Sequence, residues 1–172
     1  MSDKKPIRYA FLQIPNYSMV TFSSAVASLR GANYISKQDL YEWEVVSMDG
    51  VPVKASVGFE VTPTIHVNDL NLNDLEALIV CGGTYIDRAY EKGTLAFLRK
   101  VANAKVAIGS TCTGSYLLAS AGLLDGYKST IHWENLASMR EEFPNVLMSS
   151  NLFAIDRDRF TCSGGNSSLD MI

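Results

Sequence analysis

Cys112 stands in a segment whose residue order favours nucleophilic chemistry, Gly109-Ser-Thr-Cys-Thr-Gly114. An apolar run, 105–108, precedes the segment, and a helix-like run, 115–121, follows it. A strand, one residue at a glycine-flanked turn and then a helix is the order of a nucleophile elbow, here with cysteine in the usual serine position. The helix start behind the turn favours a thiolate, because its N–H groups are unpaired and partly positive. The alternative interpretation of Cys112 is a small buried apolar side chain.

Two other features are expected to lie near Cys112. Gly82-Gly83 ends an apolar run, and open α/β sheets bind ligands at the carboxyl ends of their strands. The N–H groups of these glycines are predicted to form an oxyanion hole facing Cys112, or else a plain strand-exit turn. His132 follows Cys112 by 20 residues, after a predicted helix and a short strand. This return path favours a Cys112–His132 pair, and a hydrogen-bonded structural histidine is the alternative.

Apolar runs typical of strands alternate with helical patterns along the chain, and these elements must position the residues above. The predicted strands are 8–14, 42–47, 75–80, 105–109, 145–148, 152–155 and 159–162. The predicted helices are 20–33, 95–104, 115–121 and 134–143, and a hairpin excursion is predicted over 51–64. Continuous apolar strands that alternate with helices predict the α/β class. We expect a flavodoxin-like parallel sheet with helices on both faces.

Composition limits the classes of function that are open to the chain. Its 172 residues fit one domain, and a net charge of −3 with a pI near 5.3 argues against DNA binding by this segment alone. The polar start and the short apolar run 9–14 do not resemble a signal peptide or a membrane span, so a cytoplasmic location is expected. The three cysteines are too far apart in sequence to suggest a disulfide framework or a metal site. No metal and no cofactor are expected.

The last residues have the pattern of a helix that has only begun. Residues 163–168 contain a turn and good N-cap residues, and 169–172 fit the first turn of a helix. One interpretation is a frayed terminus. The interpretation that we prefer is a domain, 1–172, that is truncated at its last helix and belongs to a longer gene product.

Several phrases of the sequence together resemble a known superfamily. The Cys-Gly-Gly83 strand exit, the elbow and Thr130-Ile-His-Trp-Glu134 are similar to the ThiJ/PfpI group of class I glutamine amidotransferase-like domains. The phrases 14–19, 121–126, 132–135, 140–144 and 161–165 resemble, more narrowly, the amino-terminal domain of amidotransferase-like AraC-family transcriptional regulators. Such regulators control catabolism of glycine betaine, carnitine or arginine. The resemblance implies a downstream helix-turn-helix domain, a homodimer, and operator DNA as a partner through that absent domain.

The chain departs from the pattern of active ThiJ/PfpI enzymes in two places. Those enzymes carry a carboxylate on the loop after the first strand, whereas 15–20 contains no Asp or Glu, and Thr113 stands where peptidase-like members have a histidine. Because a nucleophile needs its base and orienting group, we expect no catalysis, and Cys112 and His132 would be vestigial. The resemblance then implies a site for a betaine-like, carnitine-like or amino-acid effector. Its expected residues are Asn16, Tyr17, Ser18, Gly83, Cys112, Thr113, His132 and Trp133.

Aromatic residues suggest how an amine effector would be held, and two other functions stay open. Tyr17, Phe22, Tyr85, Tyr116 and Trp133 are predicted to converge near the elbow, where aromatic faces would bind a cationic amine, or else to be ordinary core and rim residues. The sequence thus predicts the ligand-sensing domain of a transcriptional regulator. The alternatives are a stand-alone ThiJ/PfpI-type cysteine hydrolase, lyase or hydratase, and a redox sensor in which Cys112 oxidises to a sulfenate.

Overall fold

The computed structural model describes residues 5–172, and a seven-stranded sheet forms its centre. The strands of this sheet are β1 (Ile7–Gln13), β2 (Tyr41–Ser47), β5 (Ile65–His66), β6 (Ala77–Cys81), β7 (Ala107–Thr111), β10 (Phe153–Asp156) and β11 (Arg159–Cys162). Their order across the sheet is β10-β11-β7-β6-β1-β2-β5. All neighbouring pairs are parallel except β10 with β11, which are antiparallel. The predicted α/β class with a mainly parallel sheet is confirmed, with one antiparallel edge strand.

Helices cover both faces of the sheet, as the continuous apolar strands require. The helices are α1 (Met19–Ser36), α2 (Thr94–Asn103), α3 (Ser115–Ser120), α4 (Leu136–Glu142) and α5 (Ser167–Met171). Side chains of α2, α3 and α4 form one apolar cluster with Leu12, Leu78 and Ile108 of the sheet. Side chains of α1 form a second cluster with Phe11 and Ile79, and α5 packs on α1. Successive strand residues therefore face opposite clusters.

The smaller elements differ in detail from the sequence-based predictions. The predicted excursion over 51–64 is a hairpin of β3 (Val53–Lys54) and β4 (Glu60–Val61), which pair antiparallel. The two-residue strand β5 was not predicted. A 3-10 turn at Trp133–Asn135 precedes α4 in place of one continuous helix, and β8 (Lys128–Ser129) pairs with β9 (Leu147–Met148) outside the main sheet. The predicted last helix is present as α5.

The topology defines where a ligand site is expected in such a sheet. The chain passes from β1 to β2 on one side, and β6 then pairs with the other side of β1. The strand order therefore reverses next to β1, and open α/β sheets bind ligands in the crevice outside the carboxyl ends of the strands at such a reversal. Gln13 and Cys81, which are register partners, end the two strands at this place. Among the described residues, no helix is long and apolar enough to cross a membrane.

Candidate functional site at the elbow

Cys112 occupies the turn between β7 and α3, and its backbone has the left-handed conformation, with φ of 57°. This region of φ is uncommon for residues with a side chain, and it often marks functional turns. Glycine is required at position 114 because the turn lies tightly against the sheet. A Cβ at this position would meet the Val80 carbonyl oxygen at 2.5 Å. The predicted strand–turn–helix elbow is therefore present, and the backbone at Cys112 is strained.

Two neighbouring loops pack directly against the elbow. The loop after β1 pairs with the loop after β6, since Ser18 N–H donates to the Gly82 carbonyl at 2.9 Å. The Thr113 hydroxyl donates to the Gly83 carbonyl at 2.6 Å, and this hydrogen bond is buried. A Cβ at Gly83 would collide with the Asn16 carbonyl oxygen, so the close approach of these loops requires glycine. The structure thus brings together Asn16, Ser18, Gly83 and Thr113, as the sequence predicts.

The glycine N–H groups form a smaller anion site than the sequence suggests. Gly82 N–H donates to the Thr111 carbonyl at 3.2 Å, so it is already used within the protein. Gly83 N–H has no hydrogen-bond partner among residues 5–172. The expectation that both N–H groups form an oxyanion hole is therefore wrong for Gly82, because its N–H already donates to the carbonyl of Thr111 on the neighbouring strand. Gly83 alone of the two keeps a free donor beside the elbow.

The Cys112 thiol is buried and protonated at neutral pH. Only 8% of the residue is exposed, and burial raises the pKa of the thiol to about 11. The Thr113 backbone N–H acts in the opposite direction, but its effect is the smaller one. The expected stabilisation of a thiolate by the helix start is therefore wrong in this structure, because desolvation of the charged form outweighs it. Gly164 lies over the sulfur, since a Cβ there would sit 3.5 Å from Cys112 Sγ.

His132 reaches the elbow through its backbone. Its N–H donates to the Cys112 carbonyl at 3.1 Å. Its imidazole Nδ1 lies 3.7 Å from a Glu134 carboxylate oxygen, and its ring lies next to the exposed indole of Trp133. Within residues 5–172, no hydrogen bond joins the imidazole to the Cys112 thiol. The two residues are neighbours, as predicted, but they do not form a hydrogen-bonded nucleophile–base pair here.

The five aromatic residues do not form one cluster. Tyr17 and Phe22 pack edge to face at 5.7 Å in the α1 cluster, and both are buried. Tyr116 instead packs on Phe143 in the opposite cluster, so its predicted convergence with the others is wrong. Tyr85 and Trp133 are mostly exposed. Tyr116 lies apart from Tyr17 and Phe22 because it is on the face of α3 that packs against Phe143, directly after α4, and not on a face that contacts the loop after β1.

Sequence analysis missed several polar residues that hold the elbow in place. The Ser110 and Ser115 hydroxyls lie 2.8 Å apart, and Ser115 donates to the Thr130 carbonyl at 2.7 Å. Thr21 of α1 donates to Thr111 at 3.3 Å. These small hydroxyl residues have no distinctive sequence spacing. Gln13 was also missed, although a glutamine that ends an otherwise apolar strand is a detectable signal.

Two surface clefts of the described chain lie away from the elbow. Within residues 5–172, no group of three or more His, Cys, Asp or Glu side chains is placed to hold a metal ion. One surface cleft runs along residues 87–99, and another lies at the carboxyl end of α1. Neither cleft is lined by Cys112 or His132. At the elbow, Tyr17, Cys112 and Thr113 are buried, whereas Asn16, Ser18 and His132 are partly exposed and Trp133 is exposed.

The geometry of strand, left-handed cysteine and short helix agrees with a family assignment over most of the chain. A model of the DJ-1/PfpI family matches residues 11–168. The chain belongs to the DJ-1/PfpI family. This family assignment confirms the resemblance that the elbow and the Cys-Gly-Gly83 exit suggested.

Several curated proteins that are similar over almost the whole chain are transcriptional regulators. The HTH-type transcriptional regulator GbdR of Pseudomonas aeruginosa is 44% identical over 170 residues, which cover 99% of this chain and 46% of GbdR. The HTH-type transcriptional regulator CdhR of the same species is 41% identical over 162 residues, 94% of this chain and 47% of CdhR. The chain therefore spans about half the length of these curated relatives.

A solved structure supports the same relationship, and one enzyme is similar over a shorter stretch. The crystal structure of an AraC family transcriptional regulator from Pseudomonas putida matches with a TM-score of 0.86 at 30% identity, covering 96% of this chain and 88% of that one. Isonitrile hydratase of Pseudomonas putida is 38% identical over 90 residues, 52% of this chain and 39% of the enzyme. Similarity to regulators thus extends over almost the whole chain, and similarity to this enzyme over about half.

Proposed function

We propose that this chain is the effector-binding and dimerisation region of an AraC-family transcriptional regulator. The observation that carries the proposal is 44% identity to GbdR over 99% of the chain. The match to a solved AraC family regulator supports it independently. The full-length gene product would bind operator DNA as a homodimer in the cytoplasm, through a helix-turn-helix region outside residues 1–172.

The chemistry of the elbow supports a sensor without turnover. A nucleophilic cysteine needs a thiolate, a base and an orienting group. In this structure the pKa of the Cys112 thiol is raised to about 11 by burial, and the His132 imidazole lies beside Glu134. The loop 15–20 also contains no carboxylate. We therefore propose that the cysteine and the histidine are vestiges of an enzyme site.

The proposed effector is a small amine or amino-acid-like zwitterion. The proposed contacts are those of the sequence-based prediction, namely Asn16, Tyr17, Ser18, Gly83, Cys112, Thr113, His132 and Trp133. The free N–H of Gly83 supports binding of an anionic group, and the buried Tyr17 and Phe22 rings would contact an amine only after the loop after β1 has moved. Since Tyr17, Cys112 and Thr113 are buried in this structure, binding to them would require the loop after β1 to move.

A DNA-binding measurement tests whether operator binding requires the region outside residues 1–172. Fluorescence anisotropy with labelled promoter fragments is measured for the full-length product and for residues 1–172 at near-physiological salt. Because residues 1–172 carry a net charge of −3, which disfavours contacts to phosphates, only the full-length product should bind specifically. Specific binding by residues 1–172 alone would contradict the proposal.

The second candidate is a cysteine enzyme of the ThiJ/PfpI type. The left-handed Cys112 at an intact elbow favours this candidate, and so does the partial similarity to isonitrile hydratase. Turnover of amide, peptide, glyoxal or isonitrile substrates by wild type, abolished in Cys112→Ser, would establish it. A redox sensor is disfavoured because the buried thiol has a raised pKa.

A further inference from the structure

A row that contains three polar side chains and two cysteines crosses the sheet at its carboxyl edge. Gln13 pairs with Cys81, Cys81 with Thr111, and Thr111 with Cys162. Ser47 extends the row, because it follows Val46, the register partner of Leu12. Two residues earlier on the same strands, Phe11, Val45 and Ile79 belong to the α1 cluster. The polar row therefore faces α1, directly beyond an apolar row.

Three residues at this edge carry buried polar groups that make no hydrogen bond within residues 5–172. They are the Ser47 hydroxyl, both polar atoms of the Gln13 carboxamide and the Tyr17 hydroxyl. The residues are 0%, 1% and 0% exposed, respectively. Burial raises the pKa of the Tyr17 hydroxyl to about 12, and the adjacent Gln13 carboxamide lowers that pKa by a smaller amount. Unpaired buried polar groups are rare in native proteins, because each one destabilises the fold.

These unpaired groups lie in the crevice where the strand order reverses, beneath two covering segments. The loop after β1 forms one cover, and the β3–β4 hairpin forms the other. Asn16 N–H donates to the Lys54 carbonyl at 2.8 Å, and Ser56 N–H donates to the Tyr17 carbonyl at 3.0 Å. The covers are therefore joined to each other through backbone hydrogen bonds. Because Tyr17 belongs to the loop after β1, movement of that loop would uncover Gln13 and carry the Tyr17 hydroxyl with it.

We propose that Ser47, Gln13 and Tyr17 bind the carboxylate of the effector and determine specificity for it. Two hydroxyls and an amide N–H₂ are sufficient donors for a carboxylate, which accepts several hydrogen bonds. No cationic side chain competes for this role, because the buried charged residue of the described chain, Arg159, already binds the Leu123 carbonyl and Asp158. The adjoining Tyr17 and Phe22 rings would contact the amine end. This inference rests on the proposed sensor function and names its specificity group.

Binding titrations of matched variants test the inference. Glycine betaine, L-carnitine and L-arginine are titrated by calorimetry into the 172-residue chain and into Tyr17→Phe, Gln13→Met and Ser47→Ala. Tyr34→Phe is the control, because it removes the same hydroxyl from a side chain that is 78% exposed and distant from the site. For the probe that binds wild type, we expect Kd to rise at least about tenfold in Tyr17→Phe and Gln13→Met, and to stay unchanged in the control.

Thermal unfolding without ligand separates a binding role from a structural one. Since the removed groups have no partner, the melting temperatures of Tyr17→Phe and Gln13→Met should equal or exceed that of wild type. A clear fall in both, or binding that both variants retain within twofold, overturns the inference and leaves the sensor proposal standing. Failure of wild type to bind any of the three probes contradicts the inference and the proposed effector class together.

Discussion

Cys112 and His132 are joined through their backbones and not through their side chains. The N–H of His132 donates to the Cys112 carbonyl at 3.1 Å, while its imidazole lies 3.7 Å from Glu134. The elbow that is typical of the family is therefore retained, and its backbone hydrogen bond connects the turn after β7 to the segment that leads to α4. In this structure the thiol is protonated and the imidazole lies beside Glu134, so the thiolate and paired base that a nucleophilic cysteine needs are not assembled.

Alkylation of Cys112 is expected to be slow at neutral pH. With a pKa of about 11, only about one thiol in 10⁴ is ionised at pH 7, and the sulfur is also shielded. The iodoacetamide rate at this cysteine, followed by peptide mass spectrometry, should rise roughly tenfold per pH unit up to about pH 10. A rate that reaches its plateau near neutral pH would show a reactive thiolate and would favour the enzyme or the redox sensor.

The same thiol should make the fold less stable in alkali. Its folded pKa of about 11 lies above the 9.0 of an unperturbed thiol, so its contribution is fully present below pH 9 and is lost as pH rises through 11. Urea unfolding at about pH 8 and about pH 10.5 should show a larger loss for wild type than for Cys112→Ala. Equal losses in the two proteins would mean that the thiol is not desolvated as described.

Thr113→Val is expected to destabilise the elbow. The substitution keeps the shape of the side chain but removes the 2.6 Å hydrogen bond to the Gly83 carbonyl, which is buried. We expect a loss of about 1–3 kcal/mol in the free energy of unfolding, measured by urea denaturation, because a buried acceptor is left unpaired. Thr113→Ser retains the hydroxyl and should recover most of this stability. Equal effects of the two substitutions would show that the hydrogen bond does not stabilise the elbow.

Gly83→Ala is expected to prevent correct closure of the loops. The new Cβ would collide with the Asn16 carbonyl oxygen, which belongs to backbone and has little freedom to move. The soluble yield and the melting temperature should both fall. Gly31→Ala in α1 is the matched control, since a Cβ there would meet no atom within 4 Å and alanine favours helices by about 0.5–1 kcal/mol. A normal melting temperature for Gly83→Ala would show that the loops are not in close contact.

The sequence predicted the elements that depend on local pattern. The elbow at Cys112, the alternating strands and helices and the hairpin excursion all follow from apolar periodicity and glycine placement. The antiparallel pairing of β10 and the two-residue strand β5 could not be predicted, because pairing direction and very short strands depend on tertiary contacts.

The electrostatic state of the site was less predictable than its position. The helix start suggested a thiolate at Cys112, but burial depends on residues such as Gly164 that lie 52 positions further along the chain. The unpaired groups at Gln13 and Ser47 become apparent only when the register of β1, β2 and β6 is known. Residue types and order thus predicted the turn at Cys112 on which the candidate site is centred, whereas the desolvation of its groups and their hydrogen-bond partners depend on the fold.

Sensing of a small molecule without its consumption is the property that most separates a regulator from a cysteine enzyme. The most direct measurement titrates glycine betaine, L-carnitine or L-arginine into the full-length product bound to promoter DNA, and then analyses the small molecule by proton NMR. We predict that one of these compounds changes the operator affinity at least about fivefold and is recovered unaltered. Chemical conversion of the compound, at a rate that Cys112→Ser abolishes, would contradict the sensor proposal in favour of a cysteine enzyme.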